Sequence, residues 1–221
     1  AGLPRLFGAS ARNRSLLLTR SFNFPPRLDH TLNELHHAEK YLSMAYALGA
    51  PAWQGEMPEF KLPNPAQIEN TAAKNALSSP KLMCLAAGAA YGGSKRWPAK
   101  YFREVAAAWI AEGGQVAALG TGSEREMSGQ ALEGLPPEKA FNLAGATSLE
   151  ERMLILRRAR VCVANDSGIM HLSAAIGGRG VAIFGPTDPA STSPVSPYWR
   201  VLYDKQDCSP CFKRECPRDN P

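Results

Sequence analysis

From residue 66 onward the apolar positions fall into two kinds of run that take turns along the chain. Short continuous apolar runs stand at 82–86, 115–119, 140–143, 161–164 and 181–184. Around them, at 66–77, 98–112, 123–133, 148–159 and 167–176, apolar residues recur every three or four positions. The first kind predicts buried strands and the second predicts helices with one apolar face. Strands alternating with helices of this length predict β-α-β units, a parallel sheet covered on both faces and hence a doubly wound α/β domain. The helix ends agree. Pro98 stands at a first helical position, the stripe Tyr101, Phe102, Val105, Ala106, Trp109, Ile110 follows, and Gly113-Gly114 closes it. Ser148 with Glu151 reads as a capping box.

Upstream the pattern is weaker. Two short extended stretches, 5–8 and 16–19, flank a polar turn at 11–14, and they read as the last strands of a domain that starts before residue 1. Residues 31–48 carry apolar side chains at 32, 35, 38, 42, 45 and 48, a helical period closed by Gly49. His36 and His37 lie about a hundred degrees apart on such a helix, so they form no metal pair and read as surface polar residues. Residues 50–65 are rich in Pro and predict an interdomain linker. The expected organisation is therefore 1–49, the remnant of an N-terminal domain, then the linker 50–65, then the doubly wound domain 66–221. The chain begins without Met inside folded structure, which predicts a fragment.

The most informative stretch is 161–186, VCVANDSGIMHLSAAIGGRGVAIFGP, one complete β-α-β unit. A strand that ends in Asn165-Asp166-Ser167-Gly168 and opens a helix points unpaired backbone N–H groups and the positive end of the helix dipole at solvent. Such a turn attracts phosphate. The plainer reading is a side-chain cap by Asp166 or Ser167. His171, within the first turn or so, favours the anion, because a charged imidazolium there is disfavoured by the dipole alone.

Doubly wound domains bind ligands at the carboxyl ends of their strands, so the loop after the strand 82–86 is expected to face the same crevice. That loop, AAGAAYGGSKRWP, contains Gly88, Gly92 and Gly93, which let backbone approach a ligand, then Ser94 and the cations Lys95 and Arg96 before a helix start. Two cations there oppose the dipole, and an anion between them relieves the conflict; the plainer reading is that both snorkel into solvent. Two phosphate-friendly turns predict a diphosphate. The P-loop signature is missing, and the run from Gly120 lacks the third glycine of the dinucleotide fingerprint because Arg125 stands there. Glu124 suits ribose hydroxyls, or is a solvated glutamate at a helix start. Trp97 reads as a packing residue.

Charge and cysteine content narrow the picture only slightly. The formal net charge of +5 comes from scattered cations, with local clusters at Lys95-Arg96, Arg157-Arg158-Arg160 and Lys213-Arg214. This suits anionic substrates and an anionic membrane leaflet, and gives no basic stripe interleaved with aromatics of the kind nucleic acid needs. No apolar run is long enough to cross a bilayer, and the first residues do not read as a secretory signal. Cys84 and Cys162 fall in strand-like runs and read as small buried hydrophobes. Cys208, Cys211 and Cys216 offer three ligands where a closed zinc site needs four, so a metal, a redox pair and reduced thiols all stand as readings.

The segments 88–98 (GAAYGGSKRWP), 164–175 (ANDSGIMHLSAA) with 183–189 (IFGPTDP), and 208–217 (CSPCFKRECP) together resemble the bacterial lipopolysaccharide heptosyltransferases of glycosyltransferase family nine, the heptosyltransferase II type above all. The likeness runs over most of residues 1–217. It implies a GT-B fold of two Rossmann-like domains, with the acceptor-binding half incomplete here and the nucleotide-sugar-binding half in 66–221. It further implies inverting transfer of heptose from the donor ADP-heptose to the inner-core heptose of a lipid-linked lipopolysaccharide acceptor. The implied setting is the cytoplasmic face of the inner membrane, in peripheral contact with it, with no metal, cofactor or nucleic acid required. By resemblance Lys95 and Asp166 are the catalytic residues of this chain, Lys95 neutralising the diphosphate leaving group, and Ser94 binds the nucleotide sugar beside it. Ser167 and Gly168 offer main-chain N–H groups to phosphate, Asp166 takes heptose hydroxyls and His171 supports the turn. Glu124 is implied at the ribose and the main chain around Thr147 at the adenine. The cysteine cluster belongs to the same pattern.

Two departures stand out. The family's general base is an Asp in a loop that precedes residue 1, so the chain alone is expected to bind donor and to transfer slowly or not at all. After Cys216-Pro217 the sequence reads RDNP, where the family continues differently. The competing functions are another nucleotide-sugar transferase or epimerase on the same fold, or a non-catalytic nucleotide- or zinc-binding module.

Overall fold

The structure, a computed structural model, describes residues 5–9, 16, 18–22, 36–55, 60, 62 and 64–218. It divides into two compact units, the first Ala1–Glu56 with Ala190–Thr192, the second Met57–Pro189 with Ser193–Pro221.

In the first unit, strands β1 (Phe7–Ala9) and β2 (Arg20–Phe22) pair in parallel, with Phe7 opposite Arg20. The second strand thus lies one residue beyond the stretch expected at 16–19. The turn expected at 11–14 and residues 31–35 of the expected helix lie outside the described residues. Helix α1 (His37–Ala47) starts where the His36 ring caps it, its Nδ1 accepting from the Ala38 N–H at 3.1 Å. His36 is therefore a local structural cap rather than a plain surface group.

The second unit runs α2 (Thr71–Ser78), β3 (Leu82–Ala86), α3 (Ala99–Ala111), β4 (Gln115–Ala118), α4 (Arg125–Gln130), β5 (Ala140–Asn142), α5 (Leu149–Arg158), β6 (Val161–Asn165), α6 (Gly168–Ala175) and β7 (Gly180–Phe184), and then, after a single turn α7 (Pro189–Thr192) that falls mostly in the first unit, β8 (Trp199–Tyr203). The last two were not expected from the sequence. Helix α2 starts five residues later than the pattern suggested because Asn70 caps it, accepting from the Ala73 N–H at 3.0 Å.

Strands β3 to β8 form one parallel sheet in the order β5-β4-β3-β6-β7-β8. Successive side chains leave a strand on opposite faces, which is why the apolar runs are continuous: both faces are covered. Met83, Leu85, Val116, Ala118 and Val163 meet Phe102, Ala106 and Ile110 of α3 on one face. Cys84, Ala86, Ala117, Cys162 and Ala164 meet Ala73 and Ala76 of α2, Leu154 and Ile155 of α5, and Met170 and Ala174 of α6 on the other. Cys84 and Cys162 stand opposite each other in register, buried and free, as small apolar residues. Burial pushes the Cys162 thiol from its ordinary 9.0 up to about 12 and raises that of Cys84 as well.

The chain order of the strands reverses between β3 and β6. The loops leaving these two neighbours diverge to opposite faces, and the gap between them is the crevice in which such sheets hold ligands. Both loops singled out by the sequence leave from here.

Candidate functional site

Strand β6 ends on Asn165 and is followed by Asp166, two polar residues that the fold buries. The Asn165 side chain donates from Nδ2 to the Ala87 carbonyl at 2.7 Å and accepts at Oδ1 from the Trp97 N–H at 3.0 Å. It ties both ends of the 87–97 loop to the end of β6. Trp97 itself packs, stacked on Tyr101 and edge-on to Phe102.

The Asp166 carboxylate accepts at Oδ2 from Lys95 Nζ at 2.5 Å and from the Thr187 hydroxyl at 2.7 Å. The Lys95 and Asp166 side chains are only 13% and 6% exposed, so this is a largely desolvated ion pair, not a surface one. The Lys95 ammonium also lies 4.9 Å from the centre of the Tyr91 ring. Three loops, after β3, β6 and β7, therefore converge on one carboxylate.

Helix α6 begins immediately beyond. Its N-cap residue, Ser167, makes no side-chain capping bond, and the Ser167 Oγ is buried with no hydrogen-bond partner. Asp166 faces Lys95 and Thr187 instead of capping. The plainer reading of this turn, a side-chain cap, does not occur, and the dipole end is left to whatever approaches it. Around Gly168 there is open space. His171 is exposed at the fourth position of α6, its N–H reaching the Ser167 carbonyl at 3.4 Å. An ammonium group, a buried free hydroxyl and an uncapped helix start side by side are suited to an anion.

Other predicted residues sit differently. Lys95 and Arg96 do not share an anion: Lys95 turns to Asp166, whereas Arg96 reaches the Ala89 carbonyl at 3.4 Å and lines a cavity of about 220 Å³ with Gly88, Ser123, Glu124 and Met127. The conflict with the helix dipole is absent, because Lys95 ends a separate 3-10 turn, Gly93–Lys95, and α3 starts later. Ser94 faces away from Asp166. Its hydroxyl donates to the Lys213 carbonyl at 2.5 Å and its N–H to the Arg214 carbonyl at 3.0 Å.

Glu124 is the third residue of a capping box, taking the Thr121 N–H and hydroxyl on Oε2 at 2.7 and 2.8 Å. Oε1 approaches Gly88, where a Cβ would sit 2.2 Å from it. Thr147, after β5, is buried, and its carbonyl accepts from Arg152 Nη2 at 2.9 Å. The loops after β4 and β5 are joined by Arg125, which donates from Nη1 to the Ala144 carbonyl at 2.9 Å. The residue that spoils a dinucleotide fingerprint is thus a structural tie. The loop glycines, read as space for a ligand, make space for the protein itself: a Cβ on Gly92 would lie 2.3 Å from the Arg214 oxygen, and one on Gly93 would lie 2.7 Å from Glu215 Oε2.

Thr187 and Asn165 escaped the sequence reading as site residues. The only available signals were a hydroxyl in the turn after a strand at the crevice, in IFGPTDP, and a polar residue ending an otherwise apolar strand. Among the described residues no group of three or more His, Cys, Asp or Glu is placed to hold a metal, and Cys208, Cys211 and Cys216 are free thiols.

The family model for glycosyltransferase family 9 (heptosyltransferase) matches residues 9–220. The chain is 33% identical over 173 residues to lipopolysaccharide heptosyltransferase 2 of Escherichia coli K12, covering 74% of this chain and 50% of that protein. The structure of E. coli ADP-heptose LPS heptosyltransferase II superposes with a TM-score of 0.61 at 30% identity, over 76% of this chain and 54% of that one. A glycosyl transferase family 9 structure from Veillonella parvula shares the fold at a TM-score of 0.69 and 23% identity, over 93% of this chain and 58% of that one. The chain spans about half the length of the curated relatives it matches. On the match over residues 9–220, the chain belongs to glycosyltransferase family 9, the heptosyltransferases.

Proposed function

We propose that residues 66–221 are the nucleotide-sugar-binding half of an inverting heptosyltransferase that moves heptose from ADP-heptose to the inner-core heptose of a lipid-linked lipopolysaccharide acceptor. Residues 1–49 then belong to the acceptor-binding half, with 50–65 as the linker. The observation that carries this reading is the Lys95–Asp166 pair set against the uncapped start of α6, where the Ser167 hydroxyl is buried without a partner. Support for the donor comes from the 30% identical solved relative, whose name specifies ADP-heptose.

The diphosphate lies between the Lys95 ammonium and the main-chain N–H groups of Ser167 and Gly168, with His171 supporting the turn. The ammonium stabilises the charge that accumulates on the departing ADP, so it acts on the transition state as well as on binding. Asp166 holds Lys95 in place and takes heptose hydroxyls on its remaining acceptor capacity, with Thr187 fixing its rotamer. Ser94 acts by fastening the loop. Glu124 meets the ribose through Oε1, and the main chain around Thr147 meets the adenine. The strands β6, β3, β4 and β5 are successive neighbours at about 4.8 Å spacing, so their loops span about 14 Å, room for a base, a ribose and a diphosphate in a row.

The transfer needs no metal in this reading, because the cation and the helix start supply the positive potential. The general base is assigned to no residue of this chain. The chain works at the cytoplasmic face of the inner membrane, in peripheral contact with its lipid-linked acceptor, and does not engage nucleic acid. No helix among the described residues is long and apolar enough to cross a membrane.

Calorimetric titration with ADP and ADP-heptose tests the reading. Binding is expected for the parent and a loss of about tenfold or more in both Lys95→Ala and Asp166→Ala, from loss of a charge-assisted contact and of the partner that holds it. Unchanged affinity in both variants would overturn the crevice assignment.

A further inference from the structure

Among the described residues the cysteine-bearing segment after β8 has no helix or strand, yet it is held by the loops after β7 and β3, the two strands that flank β6. Its Ser209 hydroxyl donates to the Gly185 carbonyl at 3.3 Å and its Phe212 N–H to the Pro186 carbonyl at 2.9 Å, on the loop after β7 that also carries Thr187. Residues 212–215 then bind the loop after β3. The Tyr91 hydroxyl donates to the Phe212 carbonyl at 2.7 Å, Ser94 donates to the carbonyls of Lys213 and Arg214, and the Gly93 N–H meets Glu215 Oε1 at 3.3 Å. The Arg214 guanidinium carbon lies 5.5 Å from the Tyr91 ring centre, and the Lys95 ammonium lies 4.9 Å from the same centre.

The geometry points to residues 209–215 as a strap that forms one wall of the donor site, holding the turn that carries Lys95 and presenting Arg214 to the donor's diphosphate as a second cation beside Tyr91. This rests on the donor reading given above and adds residues to it. Two cations held against one aromatic ring raise the local positive potential more than either alone, and each relieves the other when a dianionic group arrives. A guanidinium suits a phosphate that a lysine meets only as a point charge. The hydrogen bonds from the strap to the Tyr91–Lys95 turn are made largely by its main-chain carbonyls, so the sequence of the strap can vary while its grip persists. Arg214 contributes by its charge, and it is separable from the grip.

Gly92 makes the grip testable. Its φ of 160° and ψ of 172° are extended backbone open to any residue, so Gly92→Ala carries no backbone strain. Its Cβ would nevertheless lie 2.3 Å from the Arg214 oxygen, so the substitution forces the strap and the Tyr91–Lys95 turn apart while leaving the Lys95 and Arg214 side chains chemically unchanged.

The experiment is calorimetry of the 221-residue chain with ADP, AMP and adenosine, run on the parent, Lys95→Ala, Gly92→Ala and Arg214→Gln, with thermal unfolding recorded for each. Arg214→Gln keeps the main-chain grip and is expected to weaken ADP about tenfold while adenosine is unaffected, narrowing the ADP-over-AMP preference. Gly92→Ala is expected to weaken ADP similarly. If parent and Lys95→Ala differ as expected but Arg214→Gln binds ADP with the parent's affinity and the same ADP-over-AMP preference, the strap is packing alone and the inference fails. If the parent does not bind ADP at all, the donor reading fails first and the strap's role with it.

Discussion

Asp166 shows how much one side chain organises here. It is buried, it accepts from Lys95 and Thr187, and it leaves the start of α6 uncovered. Removing either member of the pair strands a desolvated charge, at a typical cost of about 3–5 kcal/mol. Thr187→Val is a gentler probe: it removes one hydroxyl donor from a buried carboxylate and is expected to lower stability by about 1–3 kcal/mol in urea unfolding. The cysteines separate by environment. Cys208 and Cys216 are exposed and are expected to react promptly with iodoacetamide at neutral pH, whereas Cys84 and Cys162 react only on unfolding, as read by peptide mass spectrometry. A thiol that the fold holds protonated binds its proton more tightly folded than unfolded. The stability from Cys162 is therefore whole below its ordinary 9.0 and lost as pH rises toward about 12, so denaturation midpoints should fall across that alkaline window. At this scale the sequence was legible wherever a residue acts through its own neighbours. The turns that carry Lys95, Asp166 and Ser167 could be read locally, but the pairing of Lys95 with Asp166 could not, because the two stand 71 residues apart. Asn165 was not legible, because its partners are main-chain atoms of Ala87 and Trp97, far away along the chain.

At the scale of elements, the apolar periods located β3 to β7 and the helices α3 to α6 to within a few residues, because a sheet covered on both faces leaves no polar alternation to confuse the pattern. Strand β8 was missed for the opposite reason. It is an edge strand with Arg200, Val201 and Leu202 exposed, and it follows a stretch rich in Ser and Pro. Its register depends on Trp199, whose Nε1 donates to the Gly178 carbonyl at 3.0 Å and whose ring covers Gly180. A Cβ at Gly180 would lie 2.5 Å from that ring, so Gly180→Ala is expected to destabilise the unit by about 1–3 kcal/mol through overpacking, measured as a lower thermal midpoint. Asn165→Ala removes two ties between β6 and the 87–97 loop and leaves a buried carbonyl unpaired. It should cost about 2–3 kcal/mol in urea unfolding and also weaken ADP, since the same loop carries Lys95.

At the scale of the whole chain, the strand order that reverses between β3 and β6 turns two separate loops into one site, and no single motif in the sequence states that order. The sequence reading brought the two loops together only on the general rule that doubly wound sheets bind at the carboxyl ends of their strands, without stating an order. The likeness of three segments to one family agrees with the family match over residues 9–220. Ligand binding should report on this level as well. ADP at a hundred times its dissociation constant is expected to raise unfolding free energy by about 2.7 kcal/mol in the parent and by much less in Lys95→Ala. The most direct measurement is a crystal structure of the chain with ADP bound. The account predicts diphosphate oxygens within hydrogen-bonding distance of the Lys95 amine and of the Ser167 and Gly168 main-chain nitrogens. A diphosphate seated elsewhere, out of reach of the Lys95 amine and with the start of α6 facing only solvent, would contradict it.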